Sequence, residues 1–234
     1  MCIRDRKYRI EKDSLGEIKV PSTALWGAQT QRALDNFQIS GIKFAFPFGR
    51  SFIEALGIIK HAAASSNAAL KLLPSTKSKL IKSAAKEIID GKYDDQFPLD
   101  IFQTGSGTST NMNANEVIAT IASKKGKTSI HPNDDVNMSQ SSNDVIPTAI
   151  HISALLDVEK LLLPSLKSLI NQIKSKELKV KGVVKTGRTH LMDAMPIDMA
   201  QELSGWAAQL SDQYKQIKLA ADGLKSLPQG GTAI

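Results

Sequence analysis

Apolar residues recur at helical spacing over two stretches in the first half of the chain. Residues 51–73 are rich in Ala, Leu and Ile and stop before Pro74, which predicts a buried helix. A second helix is predicted after Ser75, which can cap it, and Gly91 is expected to end it. Its apolar positions form a single stripe, made of Leu80, Ile81, Ala84, Ala85, Ile88 and Ile89. Both helices are therefore expected to pack in a core.

The second half of the chain carries two longer helical patterns. The first follows Pro147, and Pro164 is expected to kink it or split it in two. The second covers residues 197–227, where apolar residues alternate at three- and four-residue spacing. This spacing is typical of a helix that packs lengthwise against near-parallel neighbours. Two such helices cannot cover each other's apolar stripes, so we expect the chain, which stops at Ile234, to be the N-terminal portion of a longer, oligomeric protein.

The first part of the chain has a weaker pattern. Residues 9–48 mix turn residues with short extended candidates such as residues 17–20, which predicts an irregular segment with brief strands. Residues 1–7 have no hydrophobic pattern and are expected to lie outside the fold. We therefore predict a mainly α protein, in which a mixed, mostly helical N-terminal domain (residues 1–140) precedes the first long helices of an incomplete helical bundle (residues 141–234).

Composition narrows the class of protein. The 234 residues are 41% hydrophobic and 23% charged, and no apolar run approaches the ~20 residues of a membrane span. The net charge of +7 comes from lysines scattered along helical patterns, and only 5% of residues are aromatic, which argues against a nucleic-acid-binding surface. Cys2 is the single cysteine, so the sequence has no disulfide framework or cysteine-based metal site. A reducing, cytoplasmic compartment fits best.

Three polar clusters are candidates for chemistry. The first, residues 103–113, combines glycines and hydroxyl side chains and leads into a predicted helix. Glycines let the backbone approach a ligand, hydroxyls supply neutral donors, and a helix N-terminus favours an anion. These properties suit a carboxylate ligand, although a purely structural loop with a helix cap explains the same residues. The cluster lacks the Gly-Lys-Ser/Thr ending of a phosphate-binding loop.

The second cluster joins residues 131–137 to residues 138–144 just before a long apolar pattern. It offers many hydroxyl and amide donors and few positive charges, which suits a small polar anion. A polar loop with Asx turns is the structural alternative. A metal site is not predicted, because His131, Asp134 and Asp135 lack a spacing that brings three ligands together.

The third cluster, residues 185–196, is predicted to be a loop bounded by a glycine and a proline, and it contains His190. Since His190 lies on no apolar stripe, a role in proton transfer and a structural role are equally favoured. His61 and His151 lie inside helical patterns and are predicted to be structural. No nucleophile-elbow pattern accompanies the serines, so a Ser–His–Asp triad is not predicted.

Together and in this order, the clusters resemble the class II fumarase branch of the fumarase/aspartase superfamily. The resemblance extends from about Arg9 to Ile234. His190 and Ser142 favour the fumarase branch, because the related aspartate ammonia-lyases usually have Arg-Thr-Gln and Ser-Thr-Asn at these places. The similarity rests on residues 27–32, 105–113, 131–137, 139–144, 187–190 and 230–233.

The resemblance implies reversible hydration of fumarate to L-malate without a metal or cofactor, as in the tricarboxylic acid cycle. It also implies a homotetramer whose sites combine segments of different subunits, with a small dicarboxylate as ligand and neither nucleic acid nor a membrane as partner. By similarity, His190 positions or protonates the water. The family's partner glutamate, mobile serine loop and substrate-binding lysine and asparagine are expected beyond Ile234, so this chain alone is expected to be inactive. The implied substrate-binding residues are Ser106, Thr108, Ser141, Ser142, Asn143 and Thr189.

A second anion site of the family corresponds to His131, Asn133 and Asp134. The family has an arginine just before this stretch, whereas residues 127–129 of this chain are Lys, Thr and Ser. This departure argues against a functional second site and leaves the main site unaffected.

Two other functions stay open. An amino-acid lyase on the same scaffold would release ammonia from aspartate or a substituted succinate. A helical oligomerisation or binding module would do no chemistry at all.

Overall fold

A computed structural model describes residues 7–43 and 50–232 of the chain. The predictions for residues 1–6 and 44–48 lie outside these described residues. The described chain is mainly α, as predicted. Its helices and strands are β1 (Tyr8–Asp13), β2 (Gly16–Pro21), α1 (Ala28–Asn36), α2 (Arg50–Ala69), α3 (Ser75–Ile89), α4 (Thr108–Gly126), α5 (Ser142–Asp157), α6 (Leu163–Lys179), β3 (Val184–Thr189), β4 (Met192–Asp198) and α7 (Met199–Gly223).

The chain divides into two compact units. The N-terminal unit comprises Met1–Ser153 together with Leu227–Ile234, and the helical-hairpin unit comprises Ala154–Ser226. The boundary predicted after residue 140 stays a prediction. No helix among the described residues is both long and apolar enough to cross a membrane.

The core of the N-terminal unit lies between α2, α3 and α4. The predicted helices are confirmed, and in α3 the predicted stripe is buried at Ile81, Ala84, Ala85 and Ile88. Ser75 was predicted to cap α3, and this is wrong. Ser75 is the first helical residue, and the cap position is held by a proline without a side-chain hydrogen bond. Proline fits just before or at a helix start because the first N–H groups of a helix have no partner inside it.

Helix α4 runs through the middle of the N-terminal unit. Every residue from Thr110 to Ala119 is buried, including three asparagines and Glu116. Buried polar groups are costly unless they are hydrogen-bonded. The Asn111, Asn113 and Glu116 side chains find partners in the segments that surround α4 and bind those segments to the helix.

Residues 7–43 are more regular than predicted. β1 and β2 form an antiparallel pair that includes the predicted strand at residues 17–20, and a further helix, α1, was missed. The Glu116 carboxylate accepts hydrogen bonds from the start of α1: from the Gly27 N–H (2.8 Å), the Gln29 N–H (2.9 Å) and the Thr30 N–H (3.1 Å) and hydroxyl (2.6 Å). A carboxylate at a helix N-terminus satisfies free N–H groups and complements the positive end of the helix dipole. Residues 27–32 thus owe their place to a side chain of α4.

Helix α5 begins at Ser142, five residues before the predicted start. The prediction was wrong because Pro147 lies inside the helix and does not precede it. Pro147 omits one backbone hydrogen bond, which it would make to the carbonyl of residue 143 in the first turn. A single missing bond this close to the helix start leaves the rest of α5 intact.

In the helical-hairpin unit, α6 packs against α7. The predicted break near Pro164 is confirmed: a π-helical turn covers Val158–Leu162, closed by a hydrogen bond from the Leu163 N–H to the Val158 carbonyl. Pro164 then lies in the first turn of α6, where no N–H donor is needed.

Helix α7 confirms the second long pattern. It begins with a capping box at Asp198, whose carboxylate accepts the Ala200 N–H at 2.8 Å. The predicted stripe lies on its packed face, with Leu203, Ala207 and Ala221 buried. Between α6 and α7 the chain forms an antiparallel hairpin of β3 and β4, where only a loop was predicted.

Candidate active site

Three hydroxyl side chains of the predicted site meet on the surface of the N-terminal unit. The Ser106 and Thr108 hydroxyl oxygens lie 2.9 Å apart, and the Thr108 oxygen lies 3.1 Å from that of Ser142. Ser106 and Thr108 are exposed and Ser142 is half-buried, so a ligand can reach all three. We call Ser106, Thr108 and Ser142 the hydroxyl cluster.

Two helices begin at the hydroxyl cluster. Thr108 is the first residue of α4 and Ser142 the first of α5. Gly107, which precedes α4, has a left-handed backbone (φ +67°), and a Cβ there would lie 2.8 Å from the Ile146 side chain on α5. Glycine therefore allows both the turn and the close approach of the two helices. Because both helix N-termini carry partial positive charge, the cluster is well suited to a carboxylate.

The other two predicted binding residues of the second cluster, Ser141 and Asn143, lie at the same helix start. Ser141 immediately precedes α5, and its hydroxyl oxygen accepts the Asn143 N–H at 3.2 Å. Ser139 has a left-handed backbone (φ +59°), which turns the chain into the helix. The prediction that Ser141, Ser142 and Asn143 share one surface with the first cluster is therefore consistent with the geometry of this unit, and their role in binding stays a prediction.

A buried polar network, which the sequence pattern did not predict, lies next to the hydroxyl cluster. Lys60 on α2 is fully buried, and its ammonium donates to the side-chain oxygens of Asn137 (2.9 Å) and Gln140 (3.0 Å). The Asn111 amide on α4 donates to the same Asn137 oxygen at 3.1 Å. Burial lowers the pKa of Lys60 to about 7. We call Lys60, Asn111, Asn137 and Gln140 the lysine network.

A signal for the lysine network was present in the sequence. Lys60 lies four residues after Leu56 and four before Ala64, in the middle of the apolar face of a predicted core helix. A lysine in that position is almost never fully buried unless it is paired. The polar residues that pair with it, Asn137 and Gln140, belong to the second polar cluster.

Asp144, in the first turn of α5, holds the end of the described chain. Its buried carboxylate accepts the Thr232 N–H at 2.9 Å and also the Thr232 hydroxyl. Thr232 thereby joins two of the segments behind the family resemblance within the N-terminal unit, the one at residues 139–144 and the one that begins at residue 230.

Thr189 and His190 lie in the helical-hairpin unit, at the tip of the β3–β4 hairpin. His190 and Leu191 form its two-residue turn, and both have left-handed backbones (φ +49° and +60°), as the turn of a tight hairpin requires. His190 is exposed within the described part of the chain. Close to the turn, the Arg188 side chain lies 3.7 Å from the Asp193 carboxylate. The role of His190 in proton transfer stays a prediction.

The residues of the predicted second anion site border a different surface of the N-terminal unit. A cleft of about 620 Å³ lies between β1, α1, α4 and the π-helical turn Pro132–Val136, and His131 and Asn133 line it. The His131 Nδ1 accepts the Asp134 N–H at 3.1 Å, which orients the ring. Asp134 is exposed and does not line the cleft. Among the residues described, no three His, Cys, Asp or Glu side chains are grouped so as to hold a metal ion.

Comparison with known proteins decides the family. A family described as "Lyase" matches residues 16–234. The chain belongs to this lyase family. Class II fumarate hydratase of Xylella fastidiosa is 57% identical over 228 residues, which cover 97% of this chain and 47% of the relative. The corresponding enzyme of Mycobacterium tuberculosis is 53% identical over 227 residues, with the same coverage of both chains.

Solved structures agree with this assignment. The crystal structure of a class II fumarase from Schistosoma mansoni superimposes on the lyase chain with a TM-score of 0.91 at 41% identity, covering 97% of this chain and 48% of that one. The expected resemblance to class II fumarases and the expected fold are thus confirmed. The chain spans about half the length of the curated relatives it matches.

Proposed function

We propose that this chain forms part of a class II fumarate hydratase, which interconverts fumarate and L-malate in the tricarboxylic acid cycle. The observation that carries the proposal is the meeting of Ser106, Thr108 and Ser142 at two helix N-termini, in a chain 57% identical to a class II fumarate hydratase. Neutral hydroxyl donors at two positive helix ends suit a small dianionic substrate.

The chemistry explains why such donors are useful. Removal of a proton next to a carboxylate produces an aci-carboxylate dianion, so the catalyst has to stabilise charge that develops on carboxylate oxygens. Each charge-assisted hydrogen bond contributes about 1.5–3 kcal/mol. We assign substrate binding to the hydroxyl cluster with Ser141, Asn143 and Thr189. Since these donors stabilise the charge themselves, we propose a reaction that needs neither metal nor cofactor.

We assign to His190 the positioning or protonation of the water. Its exposure at the tip of a hairpin supports this role, because the imidazole is accessible to a substrate or to another subunit. Histidine is the side chain that most often transfers protons as a general acid or base.

We further propose a homotetramer assembled through the long helices, in the cytoplasm. Large apolar side chains stay exposed on the helical-hairpin unit, among them Leu169 on α6 and Trp206 and Leu219 on α7. Exposed apolar patches of this kind mark protein–protein contacts. The cytoplasmic assignment is supported by a sequence with one cysteine.

The test uses the complete gene product, because relatives are about twice as long as this chain. Absorbance of the fumarate double bond is followed with L-malate and then with L-aspartate as substrate. Turnover of L-malate that survives dialysis against a chelator supports the proposal. Turnover of aspartate alone would instead identify an ammonia-lyase.

Substitution of the histidine separates an enzyme from a non-catalytic module. His190→Asn is expected to lower kcat by about 100-fold or more, the usual contribution of a general acid or base. His61→Asn, on α2 and outside the proposed site, serves as the matched control. Unchanged activity of His190→Asn would remove His190 from the mechanism.

A further inference from the structure

Lys60 is an unusual residue for the core of the N-terminal unit. It lies on α2 among apolar residues of the main cluster, and none of its side chain is exposed. Within the part of the chain that the structure describes, both acceptors of its ammonium are neutral amides, of Asn137 and Gln140. A buried cation without a carboxylate partner costs stability. We therefore expect the two hydrogen bonds to have a role in holding the segment that carries the two amides.

The two amides belong to the turn that leads into α5. Besides binding Lys60, the Gln140 amide donates to the carbonyls of Val136 (3.0 Å) and Met138 (3.2 Å), and the Asn137 amide donates to the Gln140 carbonyl at 3.0 Å. The turn is therefore closed on itself, and two side chains of α2 bind it: Lys60, and Asn67, whose amide donates to the Met138 carbonyl at 2.9 Å. Gln140 precedes Ser142 by only two residues.

The same network reaches the other half of the hydroxyl cluster. The Asn137 oxygen that accepts from Lys60 also accepts from the Asn111 amide on α4. Asn111 lies three residues after Thr108, on the next turn of α4. Through one shared acceptor, Lys60 is connected to both segments whose first residues carry the hydroxyls.

We propose that Lys60 is a positioning residue that fixes the turn of residues 137–141 against α2 and α4 and thereby sets the position of the Ser142 hydroxyl relative to that of Thr108. Its effect on catalysis rests on the proposed function, whereas its effect on the geometry of the turn does not. Lys60 itself is fully buried, so it acts on a ligand at the surface only through the turn.

The experiment compares Lys60→Met with Lys79→Met in the complete gene product. Met keeps much of the length and apolar character of the lysine chain but donates no hydrogen bond, and Lys79 is an exposed lysine on α3 that serves as the control. Lys60→Met is expected to raise KM for L-malate by about tenfold or more while changing kcat by less than about threefold, as expected when ground-state binding is lost. An unchanged KM in a folded variant would overturn the proposal.

Asn137→Ala provides the second variant, in case Lys60→Met does not fold. This substitution removes the shared acceptor but leaves Lys60 bound to Gln140. We therefore expect KM for L-malate to rise, but by less than in Lys60→Met. An Asn137→Ala variant with the KM of the wild type would count against the proposal.

A structural measurement separates this proposal from the proposed function. If Lys60 positions the turn, hydrogen exchange of the amides of residues 138–143 should be faster in Lys60→Met than in Lys79→Met. A crystal structure of the variant should also show a Thr108–Ser142 hydroxyl distance well beyond the present 3.1 Å. If Lys60→Met shows these changes but the wild-type protein hydrates no fumarate, only the proposed function is wrong. If the hydrogen exchange of these amides and the Thr108–Ser142 distance stay unchanged in Lys60→Met, the positioning role is wrong.

Discussion

The hydroxyl oxygens of Thr108 and Ser142 lie 3.1 Å apart, although 34 residues of chain separate the two side chains. Each residue opens a helix, so their meeting brings two helix N-termini to one point on the surface. A single carboxylate at this point can accept hydrogen bonds from both hydroxyls and lies at the positive ends of two helix dipoles. The strength of the site therefore depends on both helices at once.

Removal of the Thr108 hydroxyl should weaken substrate binding. Thr108→Val keeps the shape of the side chain but removes one donor to the substrate, and we expect KM for L-malate to rise by about tenfold or more, the value of one charge-assisted hydrogen bond. Steady-state kinetics of the complete gene product measures this. Thr76→Val, at an exposed position of α3, is the control and should keep the wild-type KM. Equal KM values for the two variants would contradict the proposed site.

Replacement of the Glu116 carboxylate should destabilise the N-terminal unit. Glu116→Gln turns one acceptor into a donor that faces the N–H groups of α1, so the free energy of unfolding should fall by about 2 kcal/mol or more. The measurement is the thermal unfolding midpoint at fixed protein concentration, which should drop by several degrees. Glu17→Gln, on the exposed face of β2, should leave the midpoint unchanged. A midpoint for Glu116→Gln as high as that of Glu17→Gln would show that the capping of α1 contributes little.

The hairpin that carries His190 depends on a glycine. A Cβ at Gly187 would lie 2.6 Å from the Met195 carbonyl oxygen across the hairpin, at the irregularity in strand pairing between Thr186 and Arg188. Gly187→Ala must therefore shift β3 against β4 and with them the tip. We expect kcat/KM to fall by about tenfold or more, since small displacements of catalytic groups are costly.

Gly205 provides the matched control for that substitution. It lies on an exposed position of α7, and a Cβ there would meet nothing within 4 Å. Gly205→Ala should keep the wild-type activity and raise the free energy of unfolding slightly, because alanine favours helix over glycine by roughly 1 kcal/mol. A Gly187→Ala variant as active as Gly205→Ala would mean that the position of the hairpin tip is unimportant for the reaction.

The buried Lys60 should make stability depend on pH. Its pKa in the folded protein, about 7, lies below the ordinary value of 10.5, so between these two pH values the unfolded chain binds more protons than the folded one. The free energy of unfolding must then rise with pH across this window, by up to about 1.4 kcal/mol per pH unit from this one group. The difference in unfolding midpoint between wild type and Lys60→Met, measured at pH 7 and pH 9, isolates the effect. It should shift in favour of the wild type at pH 9, and a shift in the opposite direction would contradict the assignment.

Sequence periodicity predicted the long helices well, because a helix that is buried on one face has apolar residues at regular spacing in the sequence. In α3, four of the six predicted stripe residues are buried, and in α7 Leu203, Ala207 and Ala221 are buried. The shorter elements could not be found in this way. α1 covers nine residues and owes its start to Glu116, which comes from a distant part of the sequence. The β3–β4 hairpin is exposed on most of its residues and so shows no alternation of apolar and polar positions.

In the candidate site, too, some features could be predicted from the sequence and others depend on tertiary packing. Composition marked the residues of the hydroxyl cluster as candidates, because hydroxyl side chains next to glycines are visible in any sequence. Their mutual contacts depend on how α4 and α5 approach, which the sequence pattern does not record. Lys60 was missed because its environment is created by tertiary packing around α2, although its place on an apolar face was a visible warning.

The π-helical turn at Val158–Leu162 has a consequence for the register of the helices. Such a turn accommodates one residue more than an α-helical turn, and each residue of an α-helix advances the azimuth by about 100°. Deletion of a single residue from this stretch would restore a continuous α-helix and rotate everything downstream by that angle. The extra residue therefore sets the angular phase between the apolar positions before the turn and those of α6, among which Leu163 and Ile170 are buried.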